Sequence, residues 1–299
     1  MEKILREIEE RLSVFENLYT YIRLVEPEKK EACHLLESRD DVTKETCYSF
    51  WGRSVPCENC ISMRAVQERK SFSKIEISDG RTYFVQTVPF FMEGETYIVE
   101  MLKDITEDQV LLVQDQGAMS IEEYIRVINV KLVTDELTGL YNRRFIAERL
   151  PADIYYAKSH DYPIAIVMAD IDYFKKINDT YGHLVGDCVL KELANLMHQS
   201  VSEPMHWVAR YGGEEFMMVL NHIEQEQVWS MVERLRQSME AHIFHCNGQN
   251  LRVTCSFGIS FIHDTDSNVT KAIEDADRLL YQAKQSGRNR AILEPAKTE

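Results

Sequence analysis

The sequence predicts an α+β chain with two working halves joined by a helix. Three observations carry that expectation. Apolar positions at helical steps open the chain over 1–23. Short β-like runs separated by turn residues fill 24–107. From Asp135 to the C-terminus strands and helices alternate over 165 residues, an α+β pattern. At 299 residues the chain is long for one domain and comfortable for two, and 44% hydrophobic residues supply the cores.

Residues 1–23 set Leu5, Ile8, Leu12, Phe15, Tyr19 and Ile22 at steps of 3, 4, 3, 4 and 3, heptad spacing on one helical face. Such a helix either caps its own domain or pairs with a second copy of the chain. Beyond it, the turn-rich pieces Glu26-Pro27-Glu28 and Ser54-Val55-Pro56 alternate with β-like runs at Ser73–Ile77, Thr82–Pro89 and Thr96–Leu102. Asp79-Gly80 between the first two of those runs is a hairpin signal. The last run leads into Leu102-Lys103-Asp104-Ile105-Thr106-Glu107, which resembles the close of a PAS sensory domain. The resemblance implies a sensor over 24–107. Residues 108–134 then place Ile121, Tyr124, Ile125, Ile128 and Leu132 on one stripe, with Gly117 as a soft spot. This linker helix is either a signalling lever or a spacer.

In the remaining part, 135–299, Ile164–Met168 suits a buried strand and Asp187–Val201 a helix. Val208–Leu220 reads as a hairpin turning at Gly212-Gly213, Val228–His242 as a helix, Leu251–Phe261 as a strand and Val269–Gln285 as a final helix.

Charge narrows the function. Thirty-four Lys and Arg against 49 Asp and Glu leave a formal charge of −15. That balance argues against nucleic acid and against anionic membrane surfaces, since both need a basic face. A phosphate-rich ligand then needs a divalent cation as mediator. No run approaches the ~20 apolar residues of a membrane span, and the N-terminus lacks a basic, then apolar, signal pattern. The expected location is the cytoplasm. Seven cysteines, an odd number, fit a reducing compartment and make a structural disulfide framework an unfavoured expectation.

Two acidic sites carry the chemistry. Arg210-Tyr-Gly-Gly-Glu-Glu-Phe216 puts Glu214 and Glu215 at a tight turn whose glycines, Gly212 and Gly213, leave room for a ligand against bare backbone. Asp170 ends the buried run Ile164–Ala169, where a carboxylate is costly unless it is paired or binds a metal. Mg²⁺ favours one or two carboxylates plus substrate phosphates. Asp170 and Glu214 therefore suggest metal-assisted phosphoryl or nucleotidyl transfer.

These segments, with Asp135-Glu-Leu-Thr-Gly-Leu-Tyr-Asn-Arg-Arg144, Val253-Thr-Cys-Ser-Phe-Gly-Ile-Ser260 and Tyr281-Gln-Ala-Lys-Gln-Ser-Gly-Arg-Asn289, resemble the GGDEF family of diguanylate cyclases in the family's order. The resemblance covers 135 to about 292, in the Gly-Gly-Glu-Glu-Phe variant of the signature. It implies a central, mostly antiparallel sheet flanked by helices, like the palm of nucleotidyl cyclases. It implies that Asp170, Glu214 and the main-chain carbonyl of Ile171 ligate Mg²⁺ or Mn²⁺. Glu215 would bind a second metal or activate the ribose 3′-hydroxyl. Asn178 and Asp187 would read guanine, an ionised carboxylate accepting from the N1–H and N2–H₂ edge that adenine lacks. A helix N-cap is the alternative for Asp187, and a turn or cap role is favoured for Asp172. Lys284, Arg288 and Arg210, with main-chain N–H groups at Phe174 and Lys175, would hold the triphosphate. The implied reaction joins two GTP into cyclic di-GMP with release of two pyrophosphates, in a homodimer whose product serves downstream receptors. A non-catalytic GTP-binding scaffold is the alternative, against which stands the full set of signature residues.

One departure matters. Product-inhibited members carry Arg-x-x-Asp with five residues between that Asp and the first signature glycine, and here that place reads Glu203-Pro-Met-His206. No feedback through that primary site is expected. In the sensor half Cys33, Cys47, Cys57 and Cys60 fall in a Cys-x13-Cys-x9-Cys-x2-Cys pattern. A zinc or iron–sulfur site, a redox switch, or unrelated thiols all fit that spacing. Cys188, Cys246 and Cys255 read as core residues.

Overall fold

The structure, a computed structural model, describes residues 18–35, 45–92, 95–106, 121–262 and 269–294. The chain divides into two compact units, 1–132 and 133–299. Among the described residues no helix is long and apolar enough to cross a membrane.

The first unit is built on an antiparallel sheet. Its strands are β1 (Tyr21–Glu26), β2 (Glu31–His34), β3 (Glu45–Thr46), β4 (Phe72–Ser78), β5 (Arg81–Met92) and β6 (Glu95–Asp104), in the order β3-β2-β1-β6-β5-β4. Helix α1 (Ile61–Glu68) crosses between β3 and β4 in sequence and buries Ile61, Met63 and Ala65. The three β-like runs of the sequence are the centres of β4, β5 and β6. Asp79 and Gly80 turn the β4–β5 hairpin with φ of 50° and 74°, the paired positive values a tight hairpin requires.

The heptad stripe does not reach residue 23. Tyr21–Glu26 is a strand, and Ile22 is 1% exposed among Leu24, Leu35 and Val99. Pairing on both edges, with β2 and β6, outweighs the helical spacing of Tyr19 and Ile22. Residues 1–17, which hold the rest of the stripe, lie outside the described residues, as do 107–120 with Gly117. The linker helix is described as α2 (Ile121–Val133). Within the first unit Asn129 of α2 accepts from Asn59 at 2.9 Å and donates to the Ile75 carbonyl at 3.1 Å.

The second unit is a five-stranded sheet between two helical layers. Helix α3 (Arg143–Ser159) precedes β7 (Ile164–Ile171), and α4 (Phe174–Tyr181) and α5 (His183–Ser200) follow it. The hairpin β8 (Trp207–Gly212) and β9 (Glu215–Asn221) leads into α6 (Gln225–Ala241). The small hairpin β10 (Phe244–Cys246) and β11 (Gln249–Leu251), then β12 (Cys255–Ile262), α7 (Val269–Gln285) and β13 (Ala291–Leu293), complete the unit. Sheet order is β13-β12-β7-β9-β8, and only the β12–β13 pair is parallel. This is the mostly antiparallel sheet flanked by helices that the family resemblance implies.

All eight residues of β7 are buried because both faces are covered. Ala165, Val167, Ala169 and Ile171 pack against α5 and α6, while Ile164, Ile166 and Met168 pack against α3 and α7. Helix α3 lies outside the elements the apolar pattern predicts, since its buried face includes Glu148, Arg149 and Asp153. Asp153, fully buried, accepts from Arg149 Nε at 2.9 Å and Trp207 Nε1 at 2.8 Å. The expected single strand over 251–261 is two pieces, because Asn247-Gly248 turns the β10–β11 hairpin first.

Candidate active site

Strand pairing brings the acidic residues to one end of the sheet. Asp170 sits opposite Glu215 in the β7–β9 ladder, and the Ile171 N–H donates to the Glu214 carbonyl at 3.4 Å. The β8–β9 turn places Gly213 at φ 55°. Arg210 braces that turn from below, with Nε donating to the Gly213 carbonyl at 2.9 Å and Nη1 lying 3.2 Å from both carboxylate oxygens of Asp135. Arg210 is thus engaged within the hairpin, where the sequence suggests a triphosphate contact. Asp135 is held below its usual range: burial would raise it, but Thr138 and Arg210 outweigh that by donating to it.

Helix α7 supplies the cation. A Cβ at Gly258 would lie 2.2 Å from the Ala276 carbonyl and the Leu280 nitrogen, so β12 and α7 meet there backbone to backbone. That close approach sets the end of α7 over β7, and Lys284 Nζ lies 2.6 Å from Asp170 Oδ2. Burial, together with the charges of Glu214 and Glu215, pushes the Asp170 carboxyl up to about 6 despite Lys284. Burial raises Glu215 as well. A cluster of hard oxygen donors that resists ionisation is a site a divalent cation would relieve. The donor set of Asp170, Glu214 and the neighbouring Ile171 main chain fits Mg²⁺ or Mn²⁺ by chemistry.

A second corner forms where α4 meets α5. Asn178 Oδ1 is buried and has no hydrogen-bond partner, a state that native proteins rarely leave unexplained. A Cβ at Gly186 would fall 1.9 Å from that oxygen, so a larger residue there would displace the Asn178 side chain. Asp187 follows on α5, half-buried. It is not the helix N-cap, because α5 begins at His183 with Gly182 at the cap. That alternative from the sequence is set aside, and Asp187 is left for other work.

Between the two corners the chain turns sharply. Tyr173 takes φ 58° just before α4, with Phe174 buried and Lys175 exposed. The Arg288 guanidinium stacks 4.5 Å over the Tyr173 ring, at the mouth of this turn. Asp172 is a latch that sequence reasoning assigns to a turn or cap. It is 4% exposed and accepts from Thr254 Oγ1 and Ser256 Oγ at 2.7 Å each and from the Asn289 N–H at 3.0 Å. Thr254, Ser256 and Asn289 all lie in the family-like motifs, which was the available signal for them.

The sensor cysteines are only partly gathered. Cys47, Cys57 and Cys60 line one small cavity with Arg23, Lys74 and Glu100. Cys33 lies next to Ala32 in β2, and Ala32 packs with Cys47 on one face of the sheet. Strand alternation therefore turns Cys33 to the other face. The four-thiolate convergence allowed by the spacing is not formed. Cys47 is pushed well up by burial and by its two neighbouring thiols. In the second unit Cys255 is buried in the core, but Cys188 and Cys246 are not independent core residues. They are joined as a disulfide with Cα atoms 5.6 Å apart, because α5 and the β10 strand pack side by side. An odd total of cysteines does not exclude one pair.

Residues 132–290 match the family described as Diguanylate cyclase, GGDEF domain. Diguanylate cyclase DgcP of Pseudomonas aeruginosa is 36% identical over 176 residues, covering 59% of this chain and 26% of that protein. Diguanylate cyclase A of Treponema denticola is 37% identical over 163 residues, covering 54% and 44%. The chain thus spans less than half the length of these two relatives. Among solved structures, the coiled coil and GGDEF domain of DgcB from Caulobacter crescentus in complex with c-di-GMP superposes with a TM-score of 0.55 at 28% identity, over 58% of this chain and 92% of that one. Diguanylate cyclase SiaD of Pseudomonas aeruginosa, in complex with its activator SiaC, gives 0.53 at 33% identity, over 58% and 67%.

Proposed function

Because the chain belongs to the GGDEF family of diguanylate cyclases, we propose that it condenses two molecules of GTP into cyclic di-GMP and two pyrophosphates. The observation that carries this reading is the acidic corner of Asp170, Glu214 and Glu215 with Lys284 on Asp170. When bound, Mg²⁺ would neutralise the triphosphate and polarise the α-phosphate.

Asp170 and Glu214, with the Ile171 main-chain carbonyl, would hold that ion, and Lys284, which pairs with Asp170 in the free protein, would hold the phosphates. Arg288, already at the mouth of the Tyr173 turn, meets the triphosphate from the same side. The main-chain N–H groups at Phe174 and Lys175 add donors. Asn178 Oδ1, unpartnered in the free protein, accepts from the guanine amino group beside Asp187. Glu215, raised by burial, takes the 3′-hydroxyl proton of the ribose as its oxygen attacks the α-phosphorus of the partner nucleotide. Each domain holds one GTP, so the reaction needs two chains face to face, and positioning supplies most of the acceleration.

The first unit acts as a PAS-like sensor. Its link to output is α2, which Asn129 fastens to the loop at Asn59 and to β4. GTP as substrate favours a site of action in the cytoplasm. Product feedback at 203–206 is absent. There His206 turns its ring inward, Nδ1 accepting from the Asn221 N–H at 3.2 Å, and burial lowers its basicity. Inhibition by low-micromolar cyclic di-GMP that disappears on changing Glu203 or His206 would refute this point.

Substrate competition tests the reaction itself. The expected outcome is one pyrophosphate released per GTP consumed, with ATP untouched. Release of inorganic phosphate, or equal use of ATP, would contradict the reading.

A further inference from the structure

The Cys188–Cys246 bond starts one residue after Asp187, and its surroundings are those of a working thiol pair. Cys188 follows Asp187 on α5 and is half-buried, whereas Cys246 is fully buried on β10. Glu192, one helical turn after Cys188, puts Oε1 3.7 Å from the Cys188 sulfur and 3.8 Å from the Cys246 sulfur. Its other oxygen, Oε2, lies 2.9 Å from His242 Nε2. The His245 N–H donates to Oε1 at 3.2 Å, fixing the carboxylate between the two sulfurs. A purely structural disulfide has no need of a carboxylate shared by both sulfurs and backed by a histidine. A reversible one takes a proton from each attacking thiol, and this carboxylate is an acceptor in reach of both.

We propose that Cys188 and Cys246 form a reversible redox site, with Glu192 as its base, that tunes the affinity of the adjoining guanine corner. The coupling to guanine rests on the functional reading above. The bond chemistry does not. The oxidant is a low-molecular-weight disulfide, RSSR. The Cys188 thiol, the one of the pair that solvent reaches, gives its proton to Glu192 and its thiolate attacks RSSR. A Cys188–SR bond forms and RS⁻ leaves, taking the proton from Glu192. The Cys246 thiol then gives its proton to Glu192 and attacks the Cys188 sulfur, expelling the second RS⁻, which is protonated in turn. Two protein thiols are oxidised and one RSSR becomes two RSH. Closed, the bond ties the start of α5 to the β10–β11 hairpin and holds Asp187 beside Asn178. Open, that end of α5 is released, and binding must meet the ordering cost that the bond otherwise removes.

The test uses the full chain equilibrated in buffers of graded RSSR to RSH ratio. Alkylation and peptide mass spectrometry count closed Cys188–Cys246 pairs. Binding of 3′-deoxy-GTP, which lacks the attacking hydroxyl, reports the guanine corner without turnover. The expected result is full closing and reopening, with Kd at least about fivefold higher in the reduced chain, the low end of ordinary coupling between sites. Cys246→Ser should hold the reduced Kd in every buffer, with the sensor cysteines intact. Glu192→Gln should slow closing at least about tenfold at unchanged final Kd. Failure of the pair to reopen, equal Kd in both states, closing by Glu192→Gln at the wild-type rate, or a metal ion held by the two thiolates in place of the bond would each overturn the proposal. Because binding and thiol counts need no catalysis, an inactive cyclase would leave this result readable.

Discussion

Asp170 ends a strand buried on both faces, and burial pushes its carboxyl up to about 6. The folded free protein therefore holds that proton more tightly than the unfolded chain does. The resulting stability is complete below about 4 and is lost as pH rises through about 6. Asp170→Asn should accordingly abolish turnover yet raise the melting temperature of the metal-free protein at pH 7.5, by roughly 2–4 °C per kcal/mol recovered. Calorimetry of both proteins reads this, and a lower melting temperature in the variant would count against the assignment. Mg²⁺ must displace that proton, so its apparent affinity should fall about tenfold per pH unit below about 6. At the other corner, Asp187→Ala should cost GTP roughly 10- to 100-fold in kcat/KM with little change for ATP, the loss of a charged hydrogen-bond acceptor. Asp170 and Glu214 were legible because a carboxylate at the end of a buried strand and another at a glycine turn carry chemistry, whereas Asn178 and Asp187 stood out only through the family resemblance. Asp172 was not, since its partners Thr254 and Ser256 lie over 80 residues away and meet it only when β12 pairs with β7.

One glycine, Gly258, lets two elements approach closely enough to build the site. A methyl at Gly258 would strike the α7 backbone at 2.2 Å, and no flexible side chain can yield there. Gly258→Ala should destabilise the domain by about 3 kcal/mol and move Lys284 off Asp170, lowering activity as well as stability. Thermal melts and turnover together read it, and a neutral variant would show that the α7–β12 contact is not what places the lysine. The strands at 164–171 and 207–221 and the helix at 269–285 were readable from periodicity and turn glycines. The strand at Tyr21–Glu26 was not, because heptad spacing is local while its pairing with β2 and β6 is tertiary. Helix α3 escaped for a related reason. Its buried face interleaves Glu148, Arg149 and Asp153 with the apolar Phe145, Ile146, Leu150 and Ile154, which blurs the helical period. The Cys188–Cys246 pairing spans 58 residues and likewise leaves no mark in local spacing.

At the scale of the whole molecule, the proposed reaction joins two nucleotides held one per domain, which predicts that activity is a property of two chains. Specific activity should rise with protein concentration until the dimer saturates, and dilution should lower it without altering GTP binding. Sedimentation beside turnover checks this, and activity constant far below the dissociation concentration would remove dimerisation from the mechanism. Purified protein is incubated with GTP and Mg²⁺ beside Glu214→Ala, for the full chain and for an enforced dimer of residues 133–299, and products are identified by mass. Cyclic di-GMP and pyrophosphate formed by the wild type, and lost by at least about 100-fold in Glu214→Ala, is the expected result. No cyclic di-GMP from either wild-type form, or equal product from Glu214→Ala, would contradict it.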